Sequence, residues 1–113
     1  MAVSGFVQQG QTVAVAAAAT APTPQQVVPY ASLQPIGYLI ENSGTVTASL
    51  GFGPTAAIAT ANAVAPVQGA PYNAITVNGG QTITVLMAPN QFVTGVAASA
   101  TTVFVTPGEG SPQ

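Results

Sequence analysis

Hydrophobic and polar positions alternate most regularly between residues 73 and 106. In residues 81–87 (QTITVLM), Ile83, Val85 and Met87 fall on one face and Thr82, Thr84 and Leu86 on the other. A period of two in Ile, Val and Thr, bounded by turn residues, predicts a strand with one buried face. Residues 73–78 (NAITVN) precede it across Asn78-Gly79-Gly80, which tolerates positive φ, so the two runs are expected to pair as a tight hairpin. Residues 101–106 (TTVFVT) repeat the composition and are expected to stop at Pro107-Gly108, because proline lacks a ladder donor. Upstream, residues 38–41 (YLIE), a turn at Asn42-Ser43-Gly44 and residues 45–50 (TVTASL) form a further strand, turn and strand. Val46, Ala48 and Leu50 there oppose Thr45, Thr47 and Ser49, and Gly51-Phe52-Gly53-Pro54 closes the run. Pro89-Asn90 then turns the chain into residues 92–99 (FVTGVAAS).

The remaining segments are less patterned. Val3, Val7, Val13 and Val15 alternate loosely with Gln, Gly and Ala, which suits a strand or an extended arm. Residues 13–19 (VAVAAAA) are too short and uncapped to make more than a marginal helix. Residues 21–37 contain Pro22, Pro24, Pro29 and Pro35. Proline fixes φ and biases its predecessor toward extended geometry, so this segment is expected to cross a surface, either of its own subunit or of a neighbour. The Ala-rich residues 56–67 read as a helical turn or as an irregular strand interrupted at Pro66. Short strands with turn signals every ~8–12 residues predict an all-β fold. The expected architecture is a small antiparallel β-sandwich or jelly roll with an extended Pro-rich N-terminal arm. The expected division is 1–36 as arm or first strand, 37–107 as the β-sandwich domain and 108–113 as a flexible tail.

Composition narrows function mainly by exclusion. The 113 residues are one domain's worth of chain, and 48% of them are apolar, which separates the chain from disordered sequences. Only 2% are charged, against ~25% in ordinary domains. Lys, Arg, His and Cys are absent, and Glu41 and Glu109 are the only acidic side chains. A surface so nearly neutral has little colloidal repulsion and favours association, as in a homo-oligomer. Without Lys or Arg there is no counterion-releasing contact for nucleic acid. The longest apolar run is too short to span a bilayer, and no cationic stretch precedes it as in a secretory signal.

The same inventory predicts no enzyme, and no catalytic, cofactor-binding or metal site. General acid–base catalysis near neutrality most often uses His, and thiolate, Schiff-base and common metal sites need Cys, Lys, His or several carboxylates. Glu41 with Glu109 is the one formal carboxylate pair, and both are expected to be solvated. Gly51-Phe52-Gly53 precedes Pro54 and reads as a turn, not a phosphate loop. Phe52, Phe92 and Phe104 are expected in the core. Tyr30, large and with few rotatable bonds, is the candidate anchor in a partner's pocket. With it, Pro22, Pro24, Pro29 and Pro35 make up the candidate partner-binding set.

Residues 37–110 resemble small virion proteins of tailed bacteriophages. The resemblance lies in ENSGTVTASLGFG, an apolar strand with Gly-Gly-Gln-Thr, and the closing FVTGVAASATTVFVTPGEG. Chains of this style look like capsid decoration, cement or other head-associated proteins. That implies a β-sandwich or jelly-roll domain on the capsid surface, bound to lattice positions of the major capsid protein and to copies of itself, often as trimers. It implies no small-molecule substrate, membrane or nucleic-acid partner. A fibre, spike or tail component, or a host-surface carbohydrate-binding module, is the alternative. Under the decoration reading, removing residues 1–36 is expected to leave a folded domain that no longer joins particles.

Overall fold

The computed structural model describes residues 7–29, 36–65, 69 and 73–109. Among these residues the elements are β1 (Val7–Gln8), β2 (Val13–Ala17), β3 (Gln25–Gln26), β4 (Ile36–Asn42), β5 (Ala48–Gly53), α1 (Ala56–Asn62), β6 (Ile75–Val77), β7 (Thr82–Met87), β8 (Phe92–Ala97) and β9 (Thr101–Glu109). Two antiparallel sheets pack face to face. One has the order β1-β9-β4-β7, with β2 also pairing β9; the other has the order β3-β8-β5-β6.

The pairings follow a simple rule. β5 pairs β6, β4 pairs β7, β3 pairs β8 and β2 pairs β9. This is one long hairpin with α1 at its tip, rolled so that successive pairs lie in alternate sheets. Rolling brings β9 beside β4 and β8 beside β5, which closes each sheet. The result is a jelly roll, the double Greek-key form of the β-sandwich.

Alternation along each strand supplies the core. Val15, Ala17, Tyr38, Ile40, Val103 and Val105 enter from the first sheet, and Ala48, Leu50, Phe52, Val77, Val93 and Ala97 from the second. The rings of Tyr38 and Phe52 meet across the sandwich at 5.8 Å between centroids and 84° between planes, a favoured edge-to-face geometry. On β7, Ile83, Val85 and Met87 flank the core as the alternation predicts, while Leu86 is exposed.

Several expectations need correction. Residues 73–78 and 81–87 do not form a hairpin, because β6 pairs β5 in one sheet and β7 pairs β4 in the other. The turn chemistry explains why. Gln81 N–H donates to Asn78 O at 3.0 Å, and only Gly80 of the two central glycines has positive φ, at 76°. That is the type II requirement, whereas a tight hairpin of type I′ needs positive φ at both central positions. The turn therefore splays its strands and carries the chain across the sandwich.

The described part of residues 1–36 contributes strands to both sheets. All five residues of β2 pair with β9, Val13 opposite Val105 through Ala17 opposite Thr101, and Val15, Ala17 and Val27 are core residues. The expected boundary at residue 36 cuts through both sheets. At the other end, β9 runs through Pro107 to Glu109, so the expected tail begins inside a strand. Proline is accommodated because Gln9 N–H donates to Pro107 O at 2.8 Å. In an antiparallel ladder a residue's N–H and C=O point to the same side, so the missing donor also faces that neighbour and not β4. On that side the outer strand is interrupted between Gln8 and Val13.

Residues 56–62 are helical. Thr55 caps α1, its Oγ1 accepting from Ile58 N–H at 3.2 Å, and the short helix lies against the outer face of β5. Close approach depends on β5 having no side chain there. A Cβ on Gly51 would collide with the backbone of Ala59 and Ala63, and one on Gly53 with Ile58. Gly51-Phe52-Gly53 thus belongs to the strand itself, Phe52 pointing into the core and the glycines toward the helix. Phe92 and Phe104 are only half-buried, because they alternate with the core residues Val93, Val103 and Val105.

Candidate functional site

The groups able to do chemistry are few and separated. Glu41 is exposed on the outer face of β4, opposite Thr82 on one side and Phe104 on the other. Glu109 ends β9, five positions beyond Phe104, which puts the two Glu backbones ~17 Å apart along the strand. Glycosidic carboxyl pairs lie ~5–9.5 Å apart. No group of three or more His, Cys, Asp or Glu side chains occurs among the described residues.

Among the described residues, Tyr38 is the buried titratable group. Its hydroxyl donates to Ala88 O at 2.9 Å and accepts from Gln91 N–H at 3.2 Å. Burial raises its pKa above the usual value of 10.0, and the hydrogen bond from the Gln91 backbone partly offsets that rise. Both partners lie in the β7–β8 turn, where Asn90 adopts φ 66°. The hydroxyl anchors that turn to the core.

Asn42 is a second buried, hydrogen-bonded side chain. Its Nδ2 donates to Val46 O at 2.8 Å and Val77 O at 3.0 Å, and its Oδ1 accepts from Gly44 N–H at 3.1 Å and Thr101 Oγ1 at 2.7 Å. One side chain thereby ties the β4–β5 crossover to β6 and to the start of β9. Every polar atom is satisfied, so this is a structural knot.

Three of the five proposed contact residues lie among the described residues. Pro22 O accepts a hydrogen bond from Thr94 Oγ1 at 2.6 Å, so its carbonyl serves the chain's own second sheet. Pro24 is half-buried, and Pro29 is buried in a bridge to Gly10. Tyr30 and Pro35 lie outside the described residues. Pro22, Pro24 and Pro29 therefore pack along this chain's own sandwich.

Two shallow grooves indent the described surface. The larger, about 880 Å³, lies over the outer face of β5, β6 and β8, with Ser49, Thr76 and Val96 in its floor and Ala19, Ala63 and Val64 in its walls. The smaller, about 410 Å³, lies between Ala16–Ala18, Ser43-Gly44 and Ala100–Thr102. Both offer methyl groups and hydroxyls and no ionisable side chain. The outer face of the first sheet is of the same kind. Leu39, Leu86 and Phe104 sit there among Thr82, Thr84 and Thr102, with Glu41 the single carboxylate of described side-chain position. Sequence reasoning found the alternation that makes this face but not its composition, which depends on which strands become neighbours.

No helix among the described residues is long and apolar enough to cross a membrane. No family model matches the chain, and no curated protein and no solved structure does either.

Proposed function

We propose that this protein is a structural subunit of a bacteriophage particle, decorating or cementing the capsid shell by binding lattice positions of the major capsid protein and neighbouring subunits. The observation that carries the reading is the surface. A jelly roll presents two broad sheet faces, and on the described part of both, Glu41 is the lone ionisable side chain amid Thr, Ser, Ala, Val and Leu. Such faces pack beside one another without like-charge repulsion and make contacts that salt does not screen. The resemblance of residues 37–110 to small virion proteins points the same way.

The reading is tested on particles. Purified virions examined by electron microscopy and quantitative mass spectrometry are expected to carry this chain at a copy number set by the capsid lattice. Attachment to shells is expected to persist in ~1 M salt, where the screening length falls to ~3 Å. A handful of copies at a tail or single vertex would replace decoration with a fibre or tail role. Complete absence from particles would end the virion reading.

A further inference from the structure

β7 is an outer strand: it pairs with β4 on one side, and no described strand meets it on the other. The register shows which backbone groups are left over. Asn42 N–H donates to Gln81 O at 3.0 Å, so Gln81 faces β4. By the alternation of an antiparallel ladder, Ile83, Val85 and Met87 also face β4. The N–H and C=O groups of Thr82, Thr84 and Leu86 therefore point outward, a row of main-chain donors and acceptors with no partner among the described residues.

Exposed edges are usually blunted by Lys, Pro, a bulge or brevity. β7 has six residues, TITVLM, without charge, proline or interruption of its register with β4. Two further observations fall on the same edge. Thr84 Oγ1 is shielded from solvent yet has no hydrogen-bond partner among the described residues, and Leu86 is 71% exposed.

We propose that β7 is a self-association edge, on which β7 of a second copy docks antiparallel about a two-fold axis through Thr84. The strand is complementary to itself in this register. Thr84 faces Thr84 of the second copy, Thr82 faces Leu86, and Leu86 faces Thr82. All three outward residues then exchange backbone hydrogen bonds, as an isologous interface requires. Rotation about χ1 turns each Thr84 hydroxyl toward its counterpart, a favourable cross-strand pair. Charge also permits a second copy. Glu41 lies one strand in from the edge, opposite Thr82, so the two Glu41 positions are three strand spacings (~14 Å) apart across the sheet and a further ~14 Å apart along it, about 20 Å in all and beyond the ~8 Å Debye length at physiological ionic strength.

The absence of cysteine makes the register directly testable. Opposed residues of a hydrogen-bonded pair have Cα atoms ~5.5 Å apart, within the ~4.4–6.8 Å of a disulfide. Under mild oxidation, T84C is expected to form a disulfide dimer. T82C is expected to form no intermolecular disulfide, because its counterpart lies ~14 Å along the strand. In the unmodified protein, amide exchange at Thr82, Thr84 and Leu86 is expected to slow at least about tenfold from dilute to concentrated solution. T84K, which opposes two ammonium groups at the axis, is expected to abolish that concentration dependence while keeping the folded circular-dichroism spectrum. Equal cross-linking of T84C and T82C, no cross-linking of T84C, or exchange independent of concentration would overturn the proposal. The inference takes from the proposed function only that copies meet. A failed cross-link in purified protein leaves the particle role standing, and absence from virions leaves the edge standing.

Discussion

At the scale of single residues, two buried polar groups hold what the apolar core alone would leave loose. Asn42 makes four hydrogen bonds to three different parts of the roll. Replacing it by Ala strands the Thr101 hydroxyl and the backbone groups of Gly44, Val46 and Val77. Asn42→Ala is expected to cost about 2–4 kcal/mol, read by chemical denaturation, given ~1–3 kcal/mol per buried group left unpaired. Tyr38→Phe strands Ala88 O and Gln91 N–H and is expected to cost about 1–3 kcal/mol on the same grounds. Tyr38 also makes a pH prediction. Its pKa is raised in the folded state, chiefly by desolvation, so the fold favours the neutral phenol. That stabilisation is complete below the unfolded value of ~10 and is lost as pH rises through the higher folded value. Melting temperature is expected to fall above pH ~10, and Tyr38→Phe to flatten that fall. An identical alkaline slope in both proteins would remove Tyr38 as its source.

At the scale of elements, position in the roll overrides local signals. A glycine-rich dipeptide between two β runs suggests a hairpin, yet Gly80 alone takes positive φ and the turn sends β6 and β7 to different sheets. A proline suggests a strand end, yet Pro107 sits within β9 because its missing donor faces the outer strand's interruption. Gly51-Phe52-Gly53 suggests a closing turn, yet it forms the second half of β5, a strand buried throughout, and gives α1 its seat. Gly51→Ala is expected to push α1 off the strand and destabilise by about 1–3 kcal/mol, the usual cost of overpacking. The same change at exposed Gly69, which meets nothing nearby, creates no such collision, though its φ of 93° carries its own backbone strain. Comparing the denaturation midpoints of Gly51→Ala and Ala57→Gly separates helix seating from helix propensity: the Ala57 change is expected to cost only about 1 kcal/mol.

At the scale of the molecule, the fold closes its ends on each other. Val13 lies opposite Val105, and β2 covers the flank of β9 that β4 does not. A chain lacking residues 1–20 is therefore expected to lose cooperative thermal unfolding, because Val103 and Val105 lose Val15 and Val13 opposite them and β9 becomes an open edge. A sharp calorimetric transition in that truncation would show that the first strands are dispensable. Pairing such distant strands is also slow, and refolding on the order of milliseconds to seconds is expected in stopped-flow measurements.

Read one segment at a time, the sequence by itself determined where most strands run, which residues of each point inward, and the near-absence of reactive side chains. Period-two alternation and composition are local properties and need no partner. Only the tertiary structure decided which strands pair, that β2 lines the core beside β9, and that Phe104 faces outward while Gly51 and Gly53 receive a helix. The strands share one vocabulary of Val, Ile, Thr and Ala, so no segment names its neighbour. Rolling the long hairpin makes that choice, because only in that arrangement do the apolar faces of both sheets meet in one core. The outer surfaces, and with them the open edge at Thr84, follow from that choice and could not be read before it.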